Sequence, residues 1–334
     1  MENGKDIIKT FAVQSKINTR LNSTSGGSFF EIASLIINDG GYVCAAGFDA
    51  NGDVTHKIVN KIDDLHDLQG SKYVQSRIGR CYLEIRQLLC EGKKVLFVGT
   101  PCQVSGLKTY LKSEYNSLYT LDLICFGVPS PKIYKAWLNA ISKKHKKEVK
   151  KVYFRDKSYG YAAPNVKVVF TDLTYTEQNF LVKSYMKTFM SEYNVRPSCS
   201  ECYFKGMKRN SDITLGDCWH IGSFDKSLDD NIGTTAVFVH TSKGMYMIKR
   251  LIEKVKVIEI QTQKEIDLDG KKMIQSVKVP TNRDDFFRDF NTLGYERTVN
   301  KWVPDNVIAT LISFGKKTIG KNPFVKRILK ELRR

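Results

Sequence analysis

The chain reads as lacking a secretory signal. Its start, MENGKDIIKTFAVQSKINTR, carries charge throughout and has no apolar h-region. No apolar run approaches the length of a membrane span. The longest candidates, residues 29–37 and 307–314, are short and carry polar residues. Low-complexity segments and tandem repeats are missing, which sets aside disordered and repeat architectures. No nucleic-acid motif is visible, and the aromatics are not interleaved with the basic clusters, so nucleic acid is not the expected partner. The expectation is a cytoplasmic protein, where thiols are held reduced. Its eight cysteines then point to core packing, metal binding or redox chemistry rather than to structural disulfides.

What is present is enough for a large core: 334 residues, 42% of them apolar, with sixteen Tyr and eighteen Phe. The net charge of +18 is large and is concentrated in two places. KKHKKEVKK, residues 143–151, reads as a solvated helix end and loop. The tail from Leu311 holds eight basic residues and one Glu, with Phe324, Val325, Ile328, Leu329 and Leu332 at helical spacing. Such a helix either lies on an anionic membrane surface, which would make the protein peripheral on the inner face of the membrane, or packs on the domain as an ordinary solvated helix.

Periodicity predicts an α/β fold, with a mixed sheet, parallel strand–loop–helix units, a cysteine-rich loop and a helical C-terminal extension. SFFEIASLIIN, residues 28–38, reads as a buried helix after a Ser25-Gly26-Gly27 turn, followed by an apolar strand from Tyr42. Residues 74–89 put Val74, Ile78, Cys81, Ile85 and Leu89 on one helical face. KKVLFVG is a buried strand ending at Gly99-Thr100-Pro101-Cys102, with a helix after it. SLYTLDLI is a second strand, ending at Cys125-Phe126-Gly127. Ser130-Pro131 then reads as a cap and first turn of the next helix. Two consecutive units thus place a cysteine just past a strand's carboxyl end, the edge at which open α/β sheets bind ligands. Paired strands lie ~4.8 Å apart, so Cys102 and Cys125 can face one small object. Two strands, a helix at residues 181–190 and the loop RPSCSECYFKGMKRNSDITLGDCW follow. The divisions expected are an N-terminal segment 1–22, a catalytic domain 23–242, an extension 243–310 and the basic tail 311–334.

Cys199-x-x-Cys202 has three common meanings: half a zinc site, part of an iron–sulfur site, or a redox dithiol. A polar loop rather than a helix follows it, which disfavours the dithiol. With Cys102 and Cys125 the thiols come one, one and two from three places. Zinc sites more often use two Cys-x-x-Cys knuckles, whereas a 4Fe–4S cubane tolerates scattered thiolates, so spacing leans to iron–sulfur and leaves zinc open. Cys44, Cys81, Cys90 and Cys218 are expected to pack in the core.

VLFVGTPCQVSGLKTYL, LDLICFGVPSPKIY and RPSCSECYFKGMKRNSDITLGDCW, taken in that order with SGGSFFEIASLIINDGGYVCAAGFD, GSKYVQSRIG and YFRDKSYGY, resemble the coenzyme F420 hydrogenase/dehydrogenase beta-subunit family. The resemblance runs over residues 23–241, with PTNRDDFFRDF as a weaker match beyond. It implies an α/β flavoprotein that holds FAD beside one 4Fe–4S cluster. It assigns the cluster thiolates to Cys102, Cys125, Cys199 and Cys202. Flavin contacts fall on Ser25, Gly26 and Gly27, on Ser71, Lys72 and Tyr73, and on Thr100, Pro101 and Gln103. The glycine turn before a helix suits a pyrophosphate, and Lys72 suits negative charge. Arg155-Asp156-Lys157 reads as an ion-paired strand end, and Asp217 and Trp219 as residues that shape the cysteine loop.

Three departures from the family pattern stand out. The segment before Ser23 is short and without cysteine, where many relatives carry a ferredoxin-like domain. The expectation is therefore one cluster and an external electron partner, a ferredoxin or a partner subunit. Phe126 stands where a His is expected, and His220 where a glycine is usual. No His, Asp or Glu stands out as a general acid or base. The expected reaction passes electrons between a hydride-exchanging small molecule, F420-like or another organic compound, and that partner. The competing readings are a zinc-stabilised basic binding protein and a membrane-surface reductase of envelope polysaccharide synthesis.

Overall fold

The computed structural model describes residues 5–305. The basic amphipathic tail therefore lies outside the described residues. The chain opens with β1 (Lys9–Gln14), the short α1 (Ile17–Leu21), α2 (Ser28–Asn38), and the hairpin β2 (Tyr42–Phe48) and β3 (Val54–Val59). After a one-turn α3 (Leu65–Leu68) come α4 (Cys81–Cys90), β4 (Val95–Gly99), α5 (Pro101–Leu111), β5 (Leu118–Leu123) and α6 (Pro131–His145). Then follow β6 (Val149–Asp156), β7 (Asn165–Phe170), β8 (Tyr175–Glu177) and α7 (Phe180–Met190). β9 (Ile213–Asp217), β10 (Thr235–Val239), α8 (Ser242–Ile252) and β11 (Lys256–Ile260) close the main sheet.

That sheet has eight strands in the order β11-β1-β10-β9-β5-β4-β2-β3. The inner pairs β2–β4, β4–β5 and β5–β9 are parallel and the flanking pairs antiparallel. Helices cover both faces of the parallel part, and every residue of β4 is buried, which is why VLFVG is a continuous apolar run rather than an alternating one. On one face Ile32, Ile36, Ile248 and Leu251 of α2 and α8 pack on Val43, Leu96 and Val98. On the other, Ile85, Leu89, Val104 and Leu107 of α4 and α5 pack on Cys44, Val95 and Phe97. A second, antiparallel sheet β6-β7-β8 packs on α6, α7 and the helices Arg283–Leu293 and Tyr295–Trp302 around Trp137, Tyr185 and Phe154.

The mixed α/β sheet with two strand–loop–helix units matches the sequence expectation, and three details differ. The helix expected over residues 74–89 begins only at Cys81, because Gly79 has φ +56°. Upstream, the Arg77 amide donates to the Val54 carbonyl and the His56 amide to the Arg77 carbonyl, so the segment runs beside β3. Val74 points into the second core. Cys90 is exposed, not packed. The fold also continues across residue 242: α8 packs on the main core, and β11 pairs with β1.

Candidate functional site

β4 and β5 pair in parallel, Gly99 beside Asp122, so their carboxyl ends open on the same edge. After β4 the chain turns at once into α5. Thr100 and Gln103 form a reciprocal capping box, with Gln103 Oε1 accepting from the Thr100 amide at 2.9 Å, and Pro101 fills the first helical position. This fixes Cys102 in the first turn of α5, exposed, with its Sγ 3.1 Å from Thr100 Oγ1.

After β5 the chain stays extended. The Ser130 amide donates to the Asn194 carbonyl and the Arg196 amide to the Val128 carbonyl, each at 2.9 Å. These bonds lay the Cys125 loop along the segment that leads to Cys199. Gly127, at φ +112°, makes the approach close: a Cβ there would lie 2.7 Å from Val195 and 3.5 Å from the Cys199 Cβ. Lys205, three residues past Cys202, donates to the Cys125 and Lys272 carbonyls.

Two of the four thiols lie above their ordinary range. Burial pushes Cys125 up to about 11, Cys102 and Cys199 add to the rise, and the Gly127 amide and Lys205 oppose it. Burial also raises Cys199, with Cys202 and Cys102 adding to it. Among the described residues, no three of these thiols have sulfurs within 4.8 Å of one another.

Beside them lies a cavity of about 1010 Å³ between the main sheet and the small one. Of the residues singled out in the sequence, Ser25, Gly27, Ser71 and Lys72 line it, as do Tyr73, Thr100, Gln103 and Cys125. Pro101 is buried at the start of α5, and Cys102 lies outside the cavity lining. Gly26 is not on the wall either. Its amide donates to Thr235 Oγ1 and its carbonyl accepts from the Ser15 amide, both at 2.8 Å. Of the turn's three amides, the one at Gly26 is therefore committed to the fold. Gly27, at φ +89°, caps α2, and the first-turn residues Ser28 and Phe29 border the cavity.

Lys72 is half-buried, with Nζ turned inward onto the Leu68 and Gln69 carbonyls at 2.7 and 2.9 Å. Burial, with Lys151 adding to it, lowers its pKa to about 7. Between about pH 7 and the ordinary lysine value of about 10.5, the unfolded chain therefore holds a proton that the folded chain has lost. Stability should rise with pH across that window. Denaturant titrations should show a flatter rise for Lys72→Met than for wild type, and equal slopes would contradict the assignment.

Several wall residues were not legible as site residues in the sequence. Arg155 pairs with Asp217 at 3.0 Å, and its guanidinium sits 4.6 Å from the Trp219 ring centre. Burial opposes the Arg155 charge, but Asp217, then Tyr73, hold it above its ordinary value. The expected ion-paired strand end is thus a cavity wall. Its neighbour Lys157 does not ion-pair there. Its Nζ donates to the Arg20, Ser25 and Ile232 carbonyls at 2.7–2.8 Å, pinning the Ser25 turn. His56 also faces the cavity. Its Nε2 meets the Val98 carbonyl and its Nδ1 meets Ser76 Oγ, each at 3.1 Å, and burial lowers it to about 4. Phe126 lines the cavity as an apolar ring against Phe189. An arginine in an exposed-looking strand and a histidine in an alternating hairpin give no sequence signal, because long-range packing sets their roles.

The fold and site define an α/β protein with a large cavity at the carboxyl ends of parallel strands, with Cys125 on its wall and the Cys199 segment packed against the Cys125 loop. Residues 92–265, just over half of the chain, match the family described as the C terminus of the coenzyme F420 hydrogenase/dehydrogenase beta subunit, and the chain belongs to that family. Its general class is therefore that of redox subunits. The fold is similar to a chain of the xenon-derivatised F420-reducing NiFe hydrogenase complex from Methanosarcina barkeri. That likeness has a TM-score of 0.52 at 15% identity and covers 88% of this chain and 90% of that one. Comparison with curated proteins finds no match. Among the described residues, no helix is long and apolar enough to cross a membrane.

Proposed function

We propose that this chain is a flavin- and iron–sulfur-dependent oxidoreductase. In this reading it exchanges hydride with an F420-like or other organic molecule and electrons with a ferredoxin or partner subunit. The observation that carries the reading is the junction of a dinucleotide-sized cavity with the Cys125 loop, beside which the Cys102 and Cys199–Cys202 segments lie.

The residues fit FAD. The cavity volume, about 1010 Å³, is at the top of the ~300–1,000 Å³ range of ligand pockets. The start of α2 offers first-turn amides without intrahelical partners to a pyrophosphate. Lys72 supplies a cation that an anionic ligand would keep protonated. Ala45, Ala46, Val98 and Leu215 give an apolar wall for a flat ring system.

For the four thiols the reading favours a cluster over one zinc ion. Four thiolates on a single tetrahedral zinc, each bonded at ~2.3 Å, have sulfurs about 3.8 Å apart. Among the described residues no three of the four sulfurs lie within 4.8 Å of one another, wider than one tetrahedral zinc needs. Gly127 and Lys205 offset part of the rise that burial imposes on the Cys125 thiol.

A flavin takes two electrons together and releases them singly, and a cluster carries one at a time, so the pair supplies conversion between hydride and one-electron chemistry. The chain's own part is to bind and orient. Lys157 fixes the Ser25 turn, the Thr100–Gln103 box fixes Cys102, and the zipper between Val128 and Arg196 fixes Cys125 against Cys199. His56, engaged at both ring nitrogens, positions β3 against β4 and carries no proton to the site. Cys102, exposed at the rim, marks the side from which a protein partner would receive electrons. The neighbouring structure belongs to a multi-subunit hydrogenase complex, which supports a partner subunit.

Purification without oxygen tests the reading directly. Flavin bands over broad visible iron–sulfur absorbance, with about four irons per chain as a single cubane requires, are expected. A colourless, zinc-containing protein that takes up no FAD on reconstitution would overturn it.

A further inference from the structure

Cys218 follows β9 and is buried, yet its Sγ does not face an apolar neighbourhood alone. Cys218, Glu265 and Asp269 each offer a ligand atom, and these atoms all lie within 4.8 Å of one another. Glu265 and Cys218 are fully buried, and the Asp269 side chain is 3% exposed. Glu265 Oε2 lies 3.4 Å from the thiol, and Glu265 Oε1 is buried with no hydrogen-bond partner. Among the described residues, no lysine or arginine is ion-paired to either carboxylate. The nearby Lys264 is turned to the Ser223 carbonyl, and Arg155 is taken by Asp217. Two carboxylates buried side by side, one with an orphaned oxygen, are costly unless a proton or a cation joins them.

The local backbone serves this grouping. Residues Ile266–Gly270 form a single π turn, a feature that recurs at functional sites, and it carries Asp269 round to the same side as Glu265. Asp269 is oriented from behind by His220, whose Nδ1 lies 2.7 Å from Oδ1 and whose backbone amide donates to Oδ2 at 2.9 Å. A histidine and an amide that hold a carboxylate in this way match the outer shell of a metal site. Asp269 and Trp219 also border the large cavity, which gives an ion a route in.

We propose that Cys218, Glu265 and Asp269 bind one divalent transition-metal ion of the zinc type, at a site separate from Cys102, Cys125, Cys199 and Cys202. One thiolate and two carboxylates form a mixed soft and hard set that suits zinc(II), with a fourth position left for water. The ion ties the end of β9 to the segment 262–274, which has no strand pairing with the main sheet. The site stands whether or not those four cysteines carry a cluster.

The test uses the full chain with Cys199→Ser and Cys202→Ser, which removes the competing thiol pair. After chelation and equilibrium dialysis against low-micromolar zinc(II), the protein should retain one zinc per chain. Adding Cys218→Ser or Asp269→Asn should abolish retention, and His220→Ala should weaken it by about 10- to 100-fold. In the otherwise wild-type chain, zinc(II) should raise the melting temperature more than it does in Asp269→Asn, so the comparison holds even if a cysteine variant does not fold. No retained zinc in the parent, or undiminished retention in both variants, overturns the site and leaves a protonated thiol–carboxyl cluster in its place.

Discussion

Under the proposed flavin and iron–sulfur reading, Cys199→Ser should strip the protein of essentially all its iron. Cys199 is half-buried against Gly127, and it is the residue through which the Cys-x-x-Cys loop meets the Cys125 loop. A serine keeps the volume but offers no soft thiolate, and three thiolates do not hold a cubane of this kind as four do. The protein should remain folded, because neither the Val128–Arg196 backbone bond nor the Pro129–Val195 bridge uses the side chain. Iron analysis and circular dichroism on the same preparation check both halves. Unchanged iron in a folded variant would remove Cys199 from the ligand set. Bound FAD, measured alongside, should persist, since Cys199 does not line the cavity.

Gly26→Ala should destabilise the fold strongly. A Cβ at Gly26 would lie 2.2 Å from the Val13 carbonyl oxygen and 2.5 Å from the Thr235 amide nitrogen. Both atoms are backbone, in β1 and β10, two strands that pair with each other. No rotamer change relieves the overlap, so the strands or the turn must move, at a cost of about 3 kcal/mol or more. Gly40→Ala is the control. It has φ +75° but nothing within 4 Å, so only backbone strain of about 1–2 kcal/mol is expected. Chemical denaturation of the two variants separates crowding from strain. Comparable losses would mean that the Gly26 turn gives way freely. FAD uptake by Gly26→Ala should fall as well, because the same turn carries Ser25 and Gly27 to the cavity wall.

Local sequence was enough to specify the two strand–loop–helix units and the place of Cys102 and Cys125 in them. An apolar run buried on both faces, a Thr-Pro-x-Gln box and a Ser-Pro start each act within a few residues. The helix α2 and the Cys-x-x-Cys loop were legible for the same reason. The sequence misled at positions where a distant segment sets the outcome. Residues 74–80 have helical spacing, yet β3 captures their backbone, and Gly79 ends the pattern. Arg155 looks like a surface strand residue until Asp217 and Trp219 arrive from β9 and its end. Cys218 looks like a core cysteine until the π turn brings Glu265 and Asp269 to it. Tertiary contacts alone made Gly26 a packing contact rather than a phosphate donor, and turned Lys72 inward. Periodicity records which face of an element is apolar. It does not record which charged group, forty or two hundred residues away, will be buried against it, because that choice belongs to the sum of long-range contacts.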